Sequence, residues 1–271
     1  MRARENYHTH TTWCDGKDSP EAVVLSAIEK GFEAIGFSSH VSFPENSPTV
    51  LDPEKGLAYA ADIRRVQAKY ADRIKVFLGV EADYIPGVTA PERACYAELG
   101  LDYLIGSIHY VIAADGGRVP VDHSPRELAE GIVAHFDGRA EKFVRAYFRQ
   151  QRDMVAKFDF DIVGHLDLVR KFNAKHPYFD ETAAWYREEL EKTADAVAAS
   201  GKIAEVNTGA ISRGWLDDAY PSGLFRNLLR ERGVRFVLSS DSHAADTIDC
   251  AFDRFVMSEH FLTGVEWLKI R

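Results

Sequence analysis

The sequence is poor in cysteine and has neither a long hydrophobic run nor an excess of positive charge. Its three cysteines, Cys14, Cys95 and Cys250, are widely spaced and form no CxxC pair, which argues against zinc-ribbon and thioredoxin-like sites. No apolar run reaches the roughly 18 residues of a membrane span, and the start MRARENYHTH lacks a secretory signal. The net charge of −9 argues against a protein that coats nucleic acid. We therefore expect a cytoplasmic protein with no membrane or nucleic-acid partner.

The chain does contain enough apolar residues for a large core. It has 271 residues, of which 46% are hydrophobic, and this length fits one large domain or two small ones. No low-complexity tract or long Gly/Ser-rich or Pro-rich linker interrupts the sequence. We therefore predict a single domain over residues 1–271.

Short apolar runs alternate with longer amphipathic segments along the chain. The runs predict strands, because they are short and rich in Ile, Val, Phe and Tyr; they are Asn6–Thr9, Ala34–Ser38, Lys75–Val80, Tyr103–Ile108, Asp161–Gly164, Ala204–Asn207 and Arg235–Ser239. The amphipathic segments predict helices at Pro53–Ala71, Arg139–Lys157, Thr182–Ser200 and Ser222–Arg232, with a further helix starting at Ser19 and Pro20. Alternation repeated about seven times favours an α/β barrel, with a doubly wound open sheet as the alternative. Residues 112–122 predict an inserted loop or hairpin.

Six of the ten histidines lie at or just beyond the end of a predicted strand, where barrel enzymes carry their active sites. His8 and His10 are two residues apart, so on a strand both rings would face the same side and could bind one ion. Asp241 and His243 repeat this spacing at the other end of the chain. An isolated His-x-His is as often a hydrogen-bonded pair of strand residues, so a metal site is predicted only from the whole set of residues.

The remaining members of the set follow other predicted strands. They are Asp15, His40, Glu81, His109 and His165. Burying so many ionisable groups without partners would be very costly, and bound cations would remove that cost. Imidazole and carboxylate ligands suit zinc, iron or manganese. Among the other histidines, His123 lies near the inserted segment, and we interpret His135, His176 and His260 as surface or helix residues.

These residues and their surrounding segments resemble the polymerase and histidinol phosphatase (PHP) superfamily. The resemblance runs from His8 to His243 through HTHTTWCDG, GVEADYIPG, GSIHYV, DIVGHLDLVRKFN, EVNTGAISRG and SSDSH. Within the superfamily the chain looks most like the histidinol-phosphate phosphatases. The resemblance implies a distorted (β/α)7 TIM-like barrel that carries three divalent metal ions at the C-terminal ends of its strands.

The resemblance also implies a division of the ligands among the three ions. The first set is His8, His10, Glu81 and Asp241; the second is Glu81, His109 and His165; the third is Asp15, His40 and His243. Two arginines are implied to clamp the phosphate, namely Arg170 and Arg213. A planar guanidinium independently suits this role, because it can bind two phosphate oxygens at once. His40 is also expected to face the substrate.

The implied reaction is hydrolysis of a small phosphomonoester, with L-histidinol phosphate as the expected substrate. Asp18 is a candidate acid for the leaving group, although an Asp beside a helix start can instead interact with the helix dipole. One alternative is a phosphoesterase of the same superfamily that acts on nucleotides or other small phosphoesters. A second alternative is a sensor that binds metal and phosphate without turnover.

Overall fold

The computed structural model describes residues 4–41, 50–256 and 261–262, and most of its strands form one parallel sheet. The strands of the described residues are β1 (Glu5–Asn6), β2 (Ala34–Val41), β3 (Lys75–Asp83), β4 (Tyr103–Ser107), β5 (Tyr110–Ile112), β6 (Arg118–Pro120), β7 (Ile162–Val163), β8 (Ile203–Asn207) and β9 (Phe236–Ser239). The α-helices of the same residues are α1 (Pro20–Glu29), α2 (Pro53–Lys69), α3 (Pro125–His135), α4 (Ala140–Lys157), α5 (Ala184–Ser200), α6 (Gly209–Ser212), α7 (Gly223–Glu231) and α8 (Phe252–Phe255).

The main sheet is nearly closed into a barrel. Its order is β1-β2-β3-β4-β7-β8-β9, and every neighbouring pair is parallel. Beyond β1 and β9, Thr9 forms a parallel bridge with Ser242, and the His10 amide donates to the Ser242 carbonyl at 2.8 Å. The first and last strands therefore meet. The predicted barrel and its seven strands are confirmed, and the open-sheet alternative is wrong.

Helix boundaries follow the capping residues in the sequence. The Ser19 side chain accepts a hydrogen bond from the Ala22 amide at 3.3 Å, and Pro20 occupies the first turn of α1, as predicted. Gly31, Gly201 and Gly233 follow α1, α5 and α7 with φ of 74°, 70° and 75°. This left-handed conformation ends a helix at little cost only for glycine. None of the described helices combines the length and apolar composition of a membrane span.

The inserted segment is a hairpin followed by a helix. Strands β5 and β6 pair antiparallel, which confirms a hairpin within residues 112–122 and shows that it begins slightly earlier, at Tyr110. Helix α3 was not predicted, although Ser124 caps it by accepting from the Glu127 amide at 3.1 Å. His135 is the last residue of α3 and His176 is exposed, as expected. The expectation for His260 lies outside the described residues.

The lower part of the barrel interior is apolar. One cluster of buried side chains fills it, contributed by residues in or next to the seven strands: Tyr7, Ala34, Phe77, Tyr103, Ile105, Ile162, Ile203 and Val237. The Tyr103 hydroxyl is 2.6 Å from the Tyr7 carbonyl oxygen, to which it donates. Gly79 is required beside this ring, because a Cβ there would lie 2.3 Å from Tyr103. This apolar floor leaves only the upper end of the barrel for polar side chains.

Candidate metal centre

The upper end of the barrel carries polar residues on the same inward faces that are apolar below. Along β3, alternate residues face inward, so Phe77 and Gly79 precede Glu81 and Asp83. In the register of β2 and β3, His40 lies directly beside Glu81. Both residues were predicted to follow their strands but lie within them, because β2 and β3 extend beyond the predicted ends to Val41 and Asp83. Parallel strands thus deliver these side chains to one edge of the sheet.

The two His-x-His-like pairs reach the site from the points where β1 and β9 meet. The rings of His8 and His10 are 5.2 Å apart, and their Nε2 atoms lie 3.1 Å and 3.6 Å from Glu81 Oε2. Strand β9 ends at Ser239, and Asp241 then adopts a φ of 50°. Such a backbone is uncommon outside glycine, and it is often found at functional sites. Asp241 and His243 therefore enter the site from the irregular segment after β9 and not from a regular strand.

All nine predicted metal ligands lie in one connected cluster. Potential ligand atoms within 4.8 Å of one another define three groups: His10, Asp15, His40 and His243; His8, His10 and Glu81; and His40, Glu81 and His109. Asp241 Oδ1 is 3.2 Å from His10 Nε2, and His165 Nε2 is 2.9 Å from Glu81 Oε1. These groups overlap the three ligand sets implied by sequence without coinciding with them, since His10 and His40 each belong to two groups.

Several buried ring nitrogens in the cluster have no hydrogen-bond partner. They are His8 Nε2, His10 Nε2 and His165 Nδ1. A buried polar atom without a partner costs about 1–3 kcal/mol. His8 Nε2 and His10 Nε2 are close to carboxylate oxygens but lack hydrogen-bonding geometry. Unpaired imidazole nitrogens between carboxylates fit the requirements of divalent cations.

The ionisation of the side chains in the cluster also favours the binding of cations. Burial opposes ionisation of Glu81 and Asp241, but nearby histidines, and Arg213 beside Asp241, hold the pKa of both carboxyls well below its usual range. Burial opposes charge on His8 as well, yet the carboxylates of Glu205, Glu81 and Asp241 raise its pKa well above the usual value. The buried carboxylates of the site are therefore held in their ionised form, which suits them to bind positive charge.

An open cavity of about 240 Å³ gives access to the cluster. Its wall includes five carboxylates, four histidines and two permanent cations: Asp15, Glu81, Asp83, Asp122, Asp241, His40, His109, His123, His243, Lys171 and Arg213. Both cations are already paired, because Lys171 Nζ is 2.9 Å from Asp122 Oδ2 and Arg213 Nη2 is 2.9 Å from Asp241 Oδ2. The described wall therefore has a negative excess, which would repel an anion.

The two arginines predicted to bind phosphate occupy different environments. Arg213 lines the cavity and donates to both the carbonyl and the carboxylate of Asp241. Gly209 makes room for it, since a Cβ there would lie 2.5 Å from Arg213 Nη2. Arg170 is not among the cavity-lining residues; its Nε donates to Glu181 at 2.6 Å, and its Nη1 is 3.4 Å from Asp167.

Asp18, the candidate acid, also does not line the cavity. Its carboxylate accepts a hydrogen bond from the Ala245 amide at 2.7 Å, and its carbonyl accepts one from Thr12. The first bond ties the start of α1 to the segment that follows His243, and the second ties it to the segment that follows His10. The geometry thus gives Asp18 a structural contact, and its role as an acid stays a prediction.

Three carboxylates of the site were missed by the sequence analysis. Asp83 Oδ1 accepts from His109 Nδ1 at 2.6 Å, and Glu205 contacts His8 Nδ1 at 2.9 Å. Asp122 pairs with Lys171 at the cavity wall. A period-two pattern could have found two of them, because Asp83 is two residues after Glu81, and Glu205 lies on β8 two residues after the inward-facing Ile203.

Comparison with known proteins identifies the family. The sequence matches the PHP domain over residues 6–209, which is most of the chain. The chain belongs to the PHP domain family. A relative in Schizosaccharomyces pombe, named "Probable histidinol-phosphatase", is 30% identical over 238 residues, covering 82% of this chain and 74% of the relative. The histidinol-phosphatase of Bacillus subtilis is 24% identical and covers 94% of this chain and 99% of its own length.

Two solved structures share the fold of this chain. A protein from Listeria monocytogenes, provisionally named a histidinol phosphatase, superposes with a TM-score of 0.83 at 23% identity, covering 93% of this chain and all of its own. The histidinol phosphate phosphatase of Lactococcus lactis gives a TM-score of 0.69 at 24% identity over 98% of this chain and 97% of its own. The latter was solved with zinc, L-histidinol and phosphate. At these identities the likeness establishes the barrel.

Proposed function

We propose that this PHP protein is a metal-dependent phosphomonoesterase that hydrolyses L-histidinol phosphate to L-histidinol and phosphate. The names of the relatives in Schizosaccharomyces pombe and Bacillus subtilis support this substrate. The Lactococcus lactis structure, which contains zinc, L-histidinol and phosphate, supports the same pairing of metal and substrate. The product alcohol would place the enzyme in histidine biosynthesis.

The observation that carries the proposal is the charge of the cavity. Its carboxylates outnumber its permanent cations, and both cations are already paired. A doubly charged phosphate ester would be repelled from such a wall unless cations were bound there. The unpartnered Nε2 atoms of His8 and His10, beside Glu81 and Asp241, provide places for those cations. Metal binding and phosphate binding are therefore two requirements of one site.

Nine residues are proposed to hold three divalent ions. The ligands are His8, His10, Asp15, His40, Glu81, His109, His165, Asp241 and His243, with Glu81 shared between ions. Bound divalent ions would lower the pKa of a water molecule and neutralise charge on the phosphate. Zinc, iron and manganese all suit this mixture of imidazole and carboxylate.

The residues of the chain would orient the phosphate and its leaving group. A guanidinium has five N–H donors, and the bonds from Arg213 to Asp241 use two of them, leaving others for phosphate oxygens. His40 lies on the cavity wall and would face the same oxygens. Arg170 is the second proposed clamp, but it must first leave Glu181. We therefore expect Arg213→Ala to reduce kcat/KM more than Arg170→Ala.

The hairpin side of the cavity offers groups for the alcohol part of the substrate. The Tyr110 hydroxyl and His123 Nε2 are hydrogen-bonded at 2.9 Å, and both residues line the cavity together with Asp83 and Asp122. L-Histidinol carries an ammonium group, which negative side chains can accept. A nucleotide would bring a second large polar group to this wall. We therefore expect histidinol phosphate to be preferred over nucleotides.

The test is phosphate release from L-histidinol phosphate by the metal-loaded and the chelator-stripped protein. We expect metal-dependent release that is lost in Asp241→Asn and retained in Asp195→Asn, a surface aspartate paired with Arg232 outside the cavity. Release from nucleotides or sugar phosphates alone would contradict the substrate and retain the phosphoesterase. Tight metal and phosphate binding without release from any ester would favour the sensor alternative.

A further inference from the structure

Glu205 is a fully buried carboxylate at the centre of the barrel, outside the cavity and outside the nine proposed ligands. It lies on β8 and contacts residues from two other strand ends. Its Oε2 is 2.9 Å from His8 Nδ1, and its Oε1 accepts from the His165 amide at 2.7 Å. Oε1 also accepts from Asn207 Nδ2 at 2.8 Å. The carboxylate is thus saturated by donors and has no contact with solvent.

The bond to Glu205 decides which nitrogen of His8 can bind a cation. An ionised carboxylate only accepts hydrogen bonds, so His8 Nδ1 must carry a proton to satisfy it. When His8 is the neutral ring that binds a cation, the opposite nitrogen, Nε2, then keeps its lone pair. That nitrogen lies 3.1 Å from Glu81 Oε2 and 3.7 Å from Asp241 Oδ1 and has no hydrogen-bond partner. Only this tautomer presents a ligand atom to the cluster.

We propose that Glu205 is a positioning residue that fixes the tautomer of His8 and the main chain at His165 for metal binding. The inference rests on the proposed metal-dependent function. Carboxylates that hold the far nitrogen of a metal-binding histidine typically change metal affinity 10–100-fold when they are removed. Glu205 holds His8 through its side chain and His165 through its backbone, so one carboxylate aligns two proposed ligands.

Glu205→Gln tests this with almost no change in shape. The amide oxygen would stay with the two donors at Oε1, namely the His165 amide and Asn207 Nδ2. The NH₂ group would then face His8 Nδ1, which must accept. That moves the His8 proton to Nε2, the atom aimed at the metal cluster. We expect the affinity for Zn²⁺, measured by competition with a chelator, to fall at least about 10-fold.

Glu189→Gln is the matched control. Glu189 is also a buried glutamate, but it lies on α5 and binds Arg145 and Arg152, away from the cavity. We expect it to lower thermal stability and leave Zn²⁺ affinity within about 2-fold of wild type, because it has no contact with the proposed ligands. In the zinc-loaded wild type, ¹H–¹⁵N NMR should detect a His8 proton on Nδ1, and in Glu205→Gln that signal should be lost.

A double-mutant cycle separates the tautomer effect from a general loss of structure. In a His8→Ala background, Glu205→Gln should weaken Zn²⁺ binding much less than in wild type, because the controlled ring is gone. Equal losses in both backgrounds, or unchanged affinity in Glu205→Gln, would overturn the role of Glu205 and leave the proposed function intact. A wild-type protein that binds no Zn²⁺ would overturn both.

Discussion

The lower and upper halves of the barrel interior are built on the same strands but have opposite chemistry. On β3 the inward side chains change from Phe77 to Glu81, four residues apart. On β8 the change from Ile203 to Glu205 takes only two residues. The lower layer is a closed apolar cluster, whereas the upper layer contains buried carboxylates and histidines with unpartnered nitrogens. The same strands carry both layers. Their inward-facing residues contribute to stability in the lower layer and to chemistry in the upper layer.

This difference shows which layer of the barrel bears the unfavourable free energy of burying charged groups. Burying like charges in the upper layer is unfavourable unless cations are bound, and the apolar layer below contributes the stability that makes this tolerable. Changes to the upper layer should therefore act on activity, and changes to the lower layer should act on folding. Four predictions test this separation, in order of decreasing effect.

Glu81→Gln should have the largest effect on activity. Glu81 lies within 4 Å of His8, His10, His40, His109 and His165. Removing its charge should reduce kcat/KM by about 10³-fold or more, since metal-assisted charge stabilisation contributes several kcal/mol. The circular dichroism spectrum should remain that of the wild type. Activity within 10-fold of wild type would contradict the assignment of Glu81 to the centre.

Phe77→Ala should lower stability and leave activity almost unchanged, which is the opposite of the effect expected for Glu81→Gln. Its ring packs 5.8 Å from Tyr7 in the lower layer, and truncating a buried phenylalanine typically costs about 3–5 kcal/mol. Urea unfolding should show this loss in the free energy of unfolding. The kcat of the folded protein should stay within about 3-fold of wild type. A loss of kcat matching that of Glu81→Gln would break the distinction between the layers.

The upper layer should make the chelated protein sensitive to pH. Burial alone would lower the pKa of His109, but the carboxylates of Asp83, Glu81 and Asp122 outweigh it and raise the pKa to about 10. The unfolded value is about 6.5, so between these values the native state binds more protons, and stability falls as pH rises. His8, whose pKa is also raised, adds to this trend.

Urea unfolding of the chelated protein from pH 6.5 to 9 measures this dependence. We expect the free energy of unfolding to fall by at least about 1 kcal/mol over that range. Asp83→Asn should flatten the slope, because the side chain bonded to His109 Nδ1 would lose its charge. The same slope in wild type and Asp83→Asn would show that this pair does not control it.

Asp18→Asn should have the smallest effect. Its carboxylate accepts from the Ala245 amide outside the cavity wall, and an amide oxygen can take over that bond. We expect kcat within about 3-fold of wild type. A general acid contributes about 10²–10⁴-fold, so a loss of that size would establish Asp18 as the acid despite its position.

Much of the fold and of the cluster could be predicted because both depend on local patterns. Short apolar runs located the seven strands of the main sheet. His40, Glu81 and His109 were then predicted as ligands because each follows one of these runs. The histidine pair at the start of the chain and the Asp-x-His near its end were found by their two-residue spacing together with the other residues at strand ends. All nine residues lie in the connected cluster.

What could not be predicted depends on long-range pairing. A period-two pattern places Glu205 on the inward face of β8, but no local pattern encodes its contact with His8, almost 200 positions away. Arg170 lies in a favourable sequence position, yet the structure pairs it with Asp167 and Glu181. Helix α3 was not predicted for a different reason. Ser124 and Pro125 are a local signal for a helix start, and that signal was overlooked.

The meeting of β1 and β9 through Thr9 and Ser242 has a consequence for the synthesis of this protein on the ribosome. His8 leaves the ribosome early, whereas Asp241 and His243 emerge only after most of the chain has been translated. A nascent chain therefore carries half of a metal pocket until its last barrel strand is available. Early metal capture by isolated histidines would be weak, and tight loading has to await closure. Metal loading should thus occur late in synthesis and mark chains whose barrel is complete.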